Sequence, residues 1–166
     1  RIARVRPRPT APPPALRLAR PDDLEACTHV WRAALAEYLL RLNQPDVLTD
    51  LEPIRRLLAH LLSTDPERFW VATRPGEAEA ATVRRETIGH DGERVVGFAS
   101  ANVRGSAWFL AMLFVDPPDQ GRGLGSALFE RTLPPGRRPA AGPAARTADG
   151  GWTFGTATDS VQPISN

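Results

Sequence analysis

Lysine is absent from this sequence of 166 residues, so all 21 basic side chains are arginine. Every mechanism that needs a lysine is therefore excluded. Cysteine is nearly absent as well, because Cys27 is alone and cannot close an internal disulfide. We therefore expect a reduced, cytoplasmic setting for the protein.

Long apolar runs are also lacking. The run AWFLAMLFV, Ala107 to Val115, has nine residues, whereas a membrane-spanning helix needs about 20. The sequence holds three histidines, His29, His60 and His90, and their spacing is not that of metal ligands. We predict neither a membrane association nor a metal site.

The net charge of +2 does not indicate a nucleic-acid partner. Much of the positive charge lies in the head of the chain, before the first acid at Asp22, and the remaining chain is mildly acidic. A basic surface for nucleic acid is therefore not expected. The arginines of this head are Arg1, Arg4, Arg6 and Arg8. We predict an extended, proline-rich tail over residues 1–15 and one domain over 16–166.

Hydrophobic spacing predicts a short strand and then two amphipathic helices. The strand runs from Leu16 to Arg20, and Pro21 with Asp22 or Asp23 as cap begins the first helix. Apolar residues then recur at helical spacing as far as Leu42. The second helix starts at Glu52, since Pro53 suits a first turn, and ends near STDPER.

Later segments have the character of strands. The polar stretch 76–92 is predicted to be a loop or a hairpin. Gly97 is expected to mark a bulge, and the run Ala107 to Val115 is expected to be covered on both faces. The predicted strands are Phe69 to Thr73, Arg94 to Arg104, Ala107 to Val115, and 152–160.

A glycine-rich loop links the apolar run to a helix that starts at Leu124 and is stopped by Pro134. Such a loop lets backbone N–H groups approach a ligand, and the helix N-terminus favours an anion such as diphosphate. A P-loop is excluded because it needs lysine. A dinucleotide fingerprint is disfavoured because Ser126 stands where the helix must pack closely. A helix entry that binds no ligand stays open as an alternative.

The spacing Gln120, Gly123, Gly125 directly after a buried strand resembles the Q/R-x-x-G-x-G/A signature of the GNAT superfamily of N-acetyltransferases. The order of predicted elements from Leu16 to Asn166 resembles that fold as well. The resemblance implies an α/β (α+β) protein with a mixed, mostly antiparallel central sheet flanked by helices. Because the sequence stops after VQPISN, we expect a C-terminally incomplete domain that lacks the last helix and strands of the family.

The resemblance also implies acetyl-CoA as cosubstrate. Its diphosphate would lie on the glycine loop, where Arg122 could pair with a phosphate, and its pantetheine arm along the fourth strand. Asn166 resembles an asparagine that opens the next helix and contacts the cofactor. The implied cofactor-binding residues are Leu113, Phe114, Val115, Gln120, Gly121, Arg122, Gly123, Leu124, Gly125, Ser126 and Asn166.

The function implied is acetyl transfer to a primary amine of a small molecule or a peptide. No residue is assigned as general acid or base. Tyr38 and Ser160 are candidates for supplying a proton, although Tyr38 is expected to pack on its helix face. A non-catalytic acyl-CoA-binding or regulatory module is the alternative, and a homodimer stays open as its assembly.

Overall fold

The structure is a computed structural model and describes residues 12–46, 50–76 and 87–135. The predicted strand 152–160, Ser160 and Asn166 lie outside the described residues, as does most of the polar stretch 76–92. The predictions made for those segments therefore stay predictions.

Within the described residues, four antiparallel strands form one sheet in the order β1-β2-β3-β4. The predicted bounds of the strands Arg94–Arg104 and Ala107–Val115 are confirmed, and Gly105 turns the chain between them at a φ of +61°. The first strand is shorter than predicted, because the chain leaves it after Leu18. The strands are β1 (Ala15–Leu18), β2 (Phe69–Arg74), β3 (Arg94–Arg104) and β4 (Ala107–Val115).

Helices cover both faces of this sheet, and each face has its own apolar core. They are α1 (Leu24–Arg41), α2 (Glu52–Thr64) and α3 (Leu124–Thr132). The core under α1 and α2 includes Val30, Leu58 and Phe98, and the core under α3 includes Leu128. The predicted start of α2 at Glu52 is confirmed, and its amide donates to the carboxylate of Asp50 at 2.9 Å. The predicted mixed fold with a mostly antiparallel sheet is confirmed for the described residues.

Asp23 makes no side-chain hydrogen bond to an amide of α1 itself, but it caps the 3-10 turn Pro21–Asp23 before this helix, where its carboxylate accepts from the amide of Arg20 at 2.8 Å. The predicted cap is therefore confirmed for the turn and not for α1. The fully buried carboxylate also accepts hydrogen bonds from the Arg17 guanidinium at 2.7 and 2.9 Å and from the backbone amide of His90 at 2.9 Å. A guanidinium in a buried setting is a stronger partner than a helix amide. Burial by itself raises the pKa of Asp23, but these bonds outweigh it and hold the pKa below its ordinary value.

The prediction that β4 is covered on both faces is wrong for its first half, where Phe109 and Leu110 are exposed. The pairing with β3 also shifts within this strand. Ser100 lies opposite Met112, whereas Ala101 lies opposite Leu110, so Ala111 is an extra residue on β4. Beyond this bulge β4 becomes partly buried.

Gly97 lies beside a second bulge, as predicted. Ala72 pairs with Gly97 but Thr73 pairs with Val95, which leaves Val96 as the extra residue on β3. A Cβ atom on Gly97 would lie 3.1 Å from Leu128 of α3. The glycine therefore lets α3 approach the sheet closely.

Tyr38 projects from α1 with 58% of its surface exposed. The expectation that it packs on its helix face is therefore wrong, because the helix presents this position to solvent. None of the helices within the described ranges is long and apolar enough to cross a membrane.

Candidate functional site

The segment between β4 and α3 is shaped by two glycines in left-handed backbone. A 3-10 turn, Pro117–Asp119, follows the strand, and Gly121 and Gly123 then have φ angles of +74° and +78°. Such angles strain any residue that carries a Cβ. No atom lies within 4 Å of the position that a Cβ would take at either glycine. The space in front of the loop is therefore open.

The end of β4, this loop and the first turn of α3 line an open pocket of about 340 Å³. It is lined by Leu113, Val115, Asp119, Gln120, Gly121, Gly123, Leu124, Gly125 and Ser126. The structure thus brings together most of the residues that the sequence predicted, and it adds Asp119. Arg122 is exposed in the loop but does not line the pocket.

The amides at the start of α3 have no protein partner within the part of the chain that the structure describes. Ala127 is the first residue of this turn whose N–H is bonded, to the carbonyl of Gly123 at 3.1 Å. The N–H groups of Leu124, Gly125 and Ser126 donate to no described residue, and Gly123 supplies no side-chain cap. Free amides at a helix N-terminus attract an anion.

Gln120 closes the loop onto the strand. Its side-chain amide donates to the carbonyl oxygen of Val115 at 2.9 Å. The motif residue Gln120 is thereby held at the mouth of the pocket. Its bond fixes where the loop departs from β4.

Two arginines bind the carboxylates at the two ends of the 3-10 turn. Arg74 donates through Nε and Nη2 to one carboxylate oxygen of Asp119, at 3.1 and 3.0 Å. Arg94 donates to the other oxygen of Asp119 and to Asp116, both at 3.2 Å. Both carboxylates are almost completely buried. We call these four residues the arginine clamp.

Sequence reasoning missed this clamp. Arg74 is the last residue of β2 and Arg94 the first of β3, and they become direct cross-strand neighbours through the register of the sheet. No local spacing in the sequence links Arg74 to Arg94, so their contact depends on the pairing of the strands.

β4 is the edge strand of the described sheet. The backbone N–H and C=O groups of its successive residues point alternately toward β3 and toward the free edge. The amide of Asp116 donates to Val96 of β3 at 2.9 Å, and the carbonyl of Phe114 lies against Gly97 of β3. Leu113 and Val115 therefore direct their backbone groups to the free edge. Phe114 faces β3, and its ring packs on Phe98 with centroids 5.7 Å apart. Of the three predicted strand residues, Phe114 lies outside the pocket.

The arrangement suits a ligand with an anionic group next to an extended arm. The loop and the start of α3 offer amides to an anion, and the edge of β4 offers peptide groups to a chain that lies alongside it. Over residues 12–46, 50–76 and 87–135, no three His, Cys, Asp or Glu side chains come together in a way that could hold a metal ion.

Comparison with known proteins gives a family and a fold. A family model described as the acetyltransferase (GNAT) family matches residues 33–134, which is more than half of the chain. A protein assigned as an acetyltransferase from Pyrococcus horikoshii is similar in fold, with a TM-score of 0.53 and 16% identity over 80% of this chain. PaiA N-acetyltransferase from Thermoplasma acidophilum, solved with coenzyme A, has a TM-score of 0.46 and 15% identity over 69% of this chain. The chain spans 37% and 66% of those two proteins.

Proposed function

Since the chain belongs to the acetyltransferase (GNAT) family, we propose that it is an N-acetyltransferase that moves the acetyl group of acetyl-CoA to a primary amine. The acceptor is a small molecule or a peptide. One observation carries the proposal for this chain: the pocket at the end of β4 reaches the amides that begin α3, which have no acceptor among the described residues.

The diphosphate of acetyl-CoA would lie on the loop from Gln120 to Ser126. The amides of Leu124, Gly125 and Ser126 have no described protein acceptor, and phosphate oxygens would accept from them. The partial positive charge at the start of α3 adds to the attraction. The side chain of Arg122 is exposed in the same loop, where it would pair with a phosphate at the rim.

The pantetheine arm would lie along the free edge of β4 as an added strand. Leu113 and Val115 line the pocket, and the alternation of the strand directs their peptide groups outward. The carbonyl of Val115 already accepts from Gln120, so its N–H is the group left for the arm. Phe114 would contribute to the core rather than to this contact.

The reaction itself is an attack of the neutral amine on the thioester carbonyl. The new N–C bond forms, the nitrogen releases one proton to water, the C–S bond breaks, and the thiolate of CoA leaves. An alkylammonium group has a pKa of about 10.4, so the amine must lose a proton before it attacks. A backbone N–H would stabilise the oxyanion of the tetrahedral intermediate. Tyr38, exposed on α1, and Ser160 are candidates for protonating the thiolate.

The cofactor part of the proposal is tested by hydrogen exchange with and without coenzyme A. We expect slower exchange of the amides from Gln120 to Ser126 when coenzyme A is bound, because its phosphates occupy them. The turn at Gly105, on the opposite end of the β3–β4 hairpin, serves as the internal control. Unchanged exchange over 120–126 at saturating coenzyme A would contradict the assignment.

Catalysis is tested by thiol release from acetyl-CoA in the presence of amines. A panel of polyamines, aminoglycosides, amino acids and peptides samples the acceptor classes. We expect release that depends on at least one amine. Coenzyme A binding without amine-dependent release would support the alternative of a non-catalytic acyl-CoA-binding module.

A further inference from the structure

A carboxylate borders the pocket that is proposed to receive a diphosphate. Asp119 lines this pocket beside Gln120 and Gly121, and its side chain is only 5% exposed. A bare carboxylate at this place would repel the phosphates, since charges in a poorly solvated setting are weakly screened. The charge of Asp119 therefore has to be balanced by the protein.

The arginine clamp supplies this balance. Both oxygens of Asp119 are occupied, one by Arg74 and the other by Arg94. Arg94 also reaches Asp116, so one guanidinium bridges the residues at the two ends of the 3-10 turn. Two arginines and two aspartates give the clamp a formal charge of zero. The loss of either arginine would leave one net negative charge at the back of the pocket.

We propose that Arg74 and Arg94 are positioning residues for cofactor binding, which neutralise Asp119 and hold the turn that presents the loop to the diphosphate. This inference rests on the proposed function. The arginines do not line the pocket; they act on the ligand through Asp119. Their contribution is therefore a coupling between charges, which a purely structural contact would not produce.

The charge coupling predicts opposite effects for the two partners. Arg94→Gln removes a positive charge and leaves Asp119 partly unbalanced, so the dissociation constant for coenzyme A should rise about tenfold. Asp119→Asn removes the negative charge and leaves both arginines, so coenzyme A should bind at least as tightly as to the wild type. A structural role alone would make both variants weaker.

The decisive measurement is a double-mutant cycle by isothermal titration calorimetry with coenzyme A. The four proteins are the wild type, Arg94→Gln, Asp119→Asn and the double variant. In the double variant Arg74 and Asp116 remain and the net charge of the clamp is again zero, so its affinity should return to within about threefold of the wild type. A double variant that binds as weakly as Arg94→Gln, or more weakly, would overturn the inference.

Arg104→Gln is the matched control. Arg104 is the last residue of β3, as Arg94 is the first, and it also donates to a nearly buried carboxylate, that of Asp65, at 2.8 Å. It lies at the opposite end of the strand from the pocket. Its removal should lower the thermal stability while the affinity for coenzyme A stays unchanged.

Two further comparisons distinguish a variant that fails to fold, and a wild type that fails to bind, from a failure of this inference. If thermal unfolding shows that Arg94→Gln does not fold, Arg74→Gln takes its place in the same cycle, since Arg74 binds the other oxygen of Asp119. A wild type that does not bind coenzyme A would defeat the proposed function and, with it, this inference. A wild type that binds, with no coupling between position 119 and either arginine, would defeat this inference alone.

Discussion

The side-chain amide of Gln120 donates to the carbonyl oxygen of Val115 at 2.9 Å. This bond ties the glycine loop to the end of β4, at the point where the anionic and the extended parts of the proposed ligand would meet. Two features of the pocket depend on it: the point where the loop leaves the strand, and the occupation of the Val115 carbonyl.

Replacing Gln120 by glutamate tests this bond. Glu cannot donate to the Val115 carbonyl, and its charge would lie beside the diphosphate, so we expect coenzyme A to bind about tenfold more weakly. Gln120→Ala should lose less, because it adds no charge. Gln44→Glu adds the same charge at an exposed position after α1 and should leave the affinity unchanged. Equal affinities for Gln120→Glu and Gln120→Ala would show that no anion lies near position 120.

Gly123→Ala should weaken coenzyme A binding more than it destabilises the fold. Gly123 and Gly105 both have left-handed φ angles and no atom within 4 Å of a Cβ position, so alanine should cost each about 1 kcal/mol of unfolding free energy. Only at Gly123 would the methyl group enter the space proposed for a phosphate. Calorimetric titration and thermal unfolding of both variants make the comparison. A comparable loss of affinity in Gly105→Ala would argue against a local effect.

Arg17→Met should be strongly destabilising because it leaves the fully buried carboxylate of Asp23 without its guanidinium. Removal of one partner of a buried pair typically costs about 3 kcal/mol or more. Urea unfolding at pH 7 measures it. Arg20→Met is the control, since its contact with Asp91 is 3.5 Å long and exposed, and it should change stability by about 0.5 kcal/mol at most. A small effect of Arg17→Met would mean that backbone amides alone compensate Asp23.

The same pair sets a pH dependence. The pKa of Asp23 is lower in the folded protein than its ordinary value of 3.8. Its charged form therefore contributes stability that is fully present above pH 3.8 and is lost as the pH falls through the lowered pKa. We expect the difference in unfolding free energy between the wild type and Asp23→Asn to shrink as the pH falls below 3.8. A difference that stays constant from pH 7 to pH 2 would contradict a lowered pKa.

Trp108→Phe should cost about 1 kcal/mol more than Trp70→Phe. The indole N–H of Trp108 donates to the carbonyl of Thr132 at 2.9 Å, whereas that of Trp70 is buried with no partner among the described residues. Both substitutions remove the same atoms, and phenylalanine keeps an aromatic face under Arg131, which lies over Trp70. Chemical unfolding of the two variants isolates the hydrogen bond. Equal losses would indicate that the Trp108 bond is not stabilising.

Local patterns predicted much of the fold from the sequence. The bounds of β3 and β4 follow from two apolar runs and the turn at Gly105, and those of α3 from glycines before it and prolines after it. Each of these signals lies within a few residues of the element that it delimits. The glycine loop is predictable for the same reason, since its conformation depends on the glycines themselves.

Long-range pairing accounts for what sequence reasoning missed. Asp23 has the position of a helix cap, but its carboxylate also binds Arg17 and the amide of His90, which come close only in the folded sheet. Asp119 meets Arg74 and Arg94 through the register of β2 and β3. No local spacing distinguishes such residues from ordinary surface charges.

Because β4 contains one extra residue, Ala111, the length of this strand cannot change freely. Before Ala111 the even-numbered Trp108 packs on Phe129 of α3, whereas after it the even-numbered Met112 and Phe114 pack toward α1 and α2. A deletion within the strand would restore simple alternation and send one half of its side chains to the wrong layer. Homologous chains that keep this packing should therefore accept insertions and deletions at Gly105 but not between Leu110 and Val115.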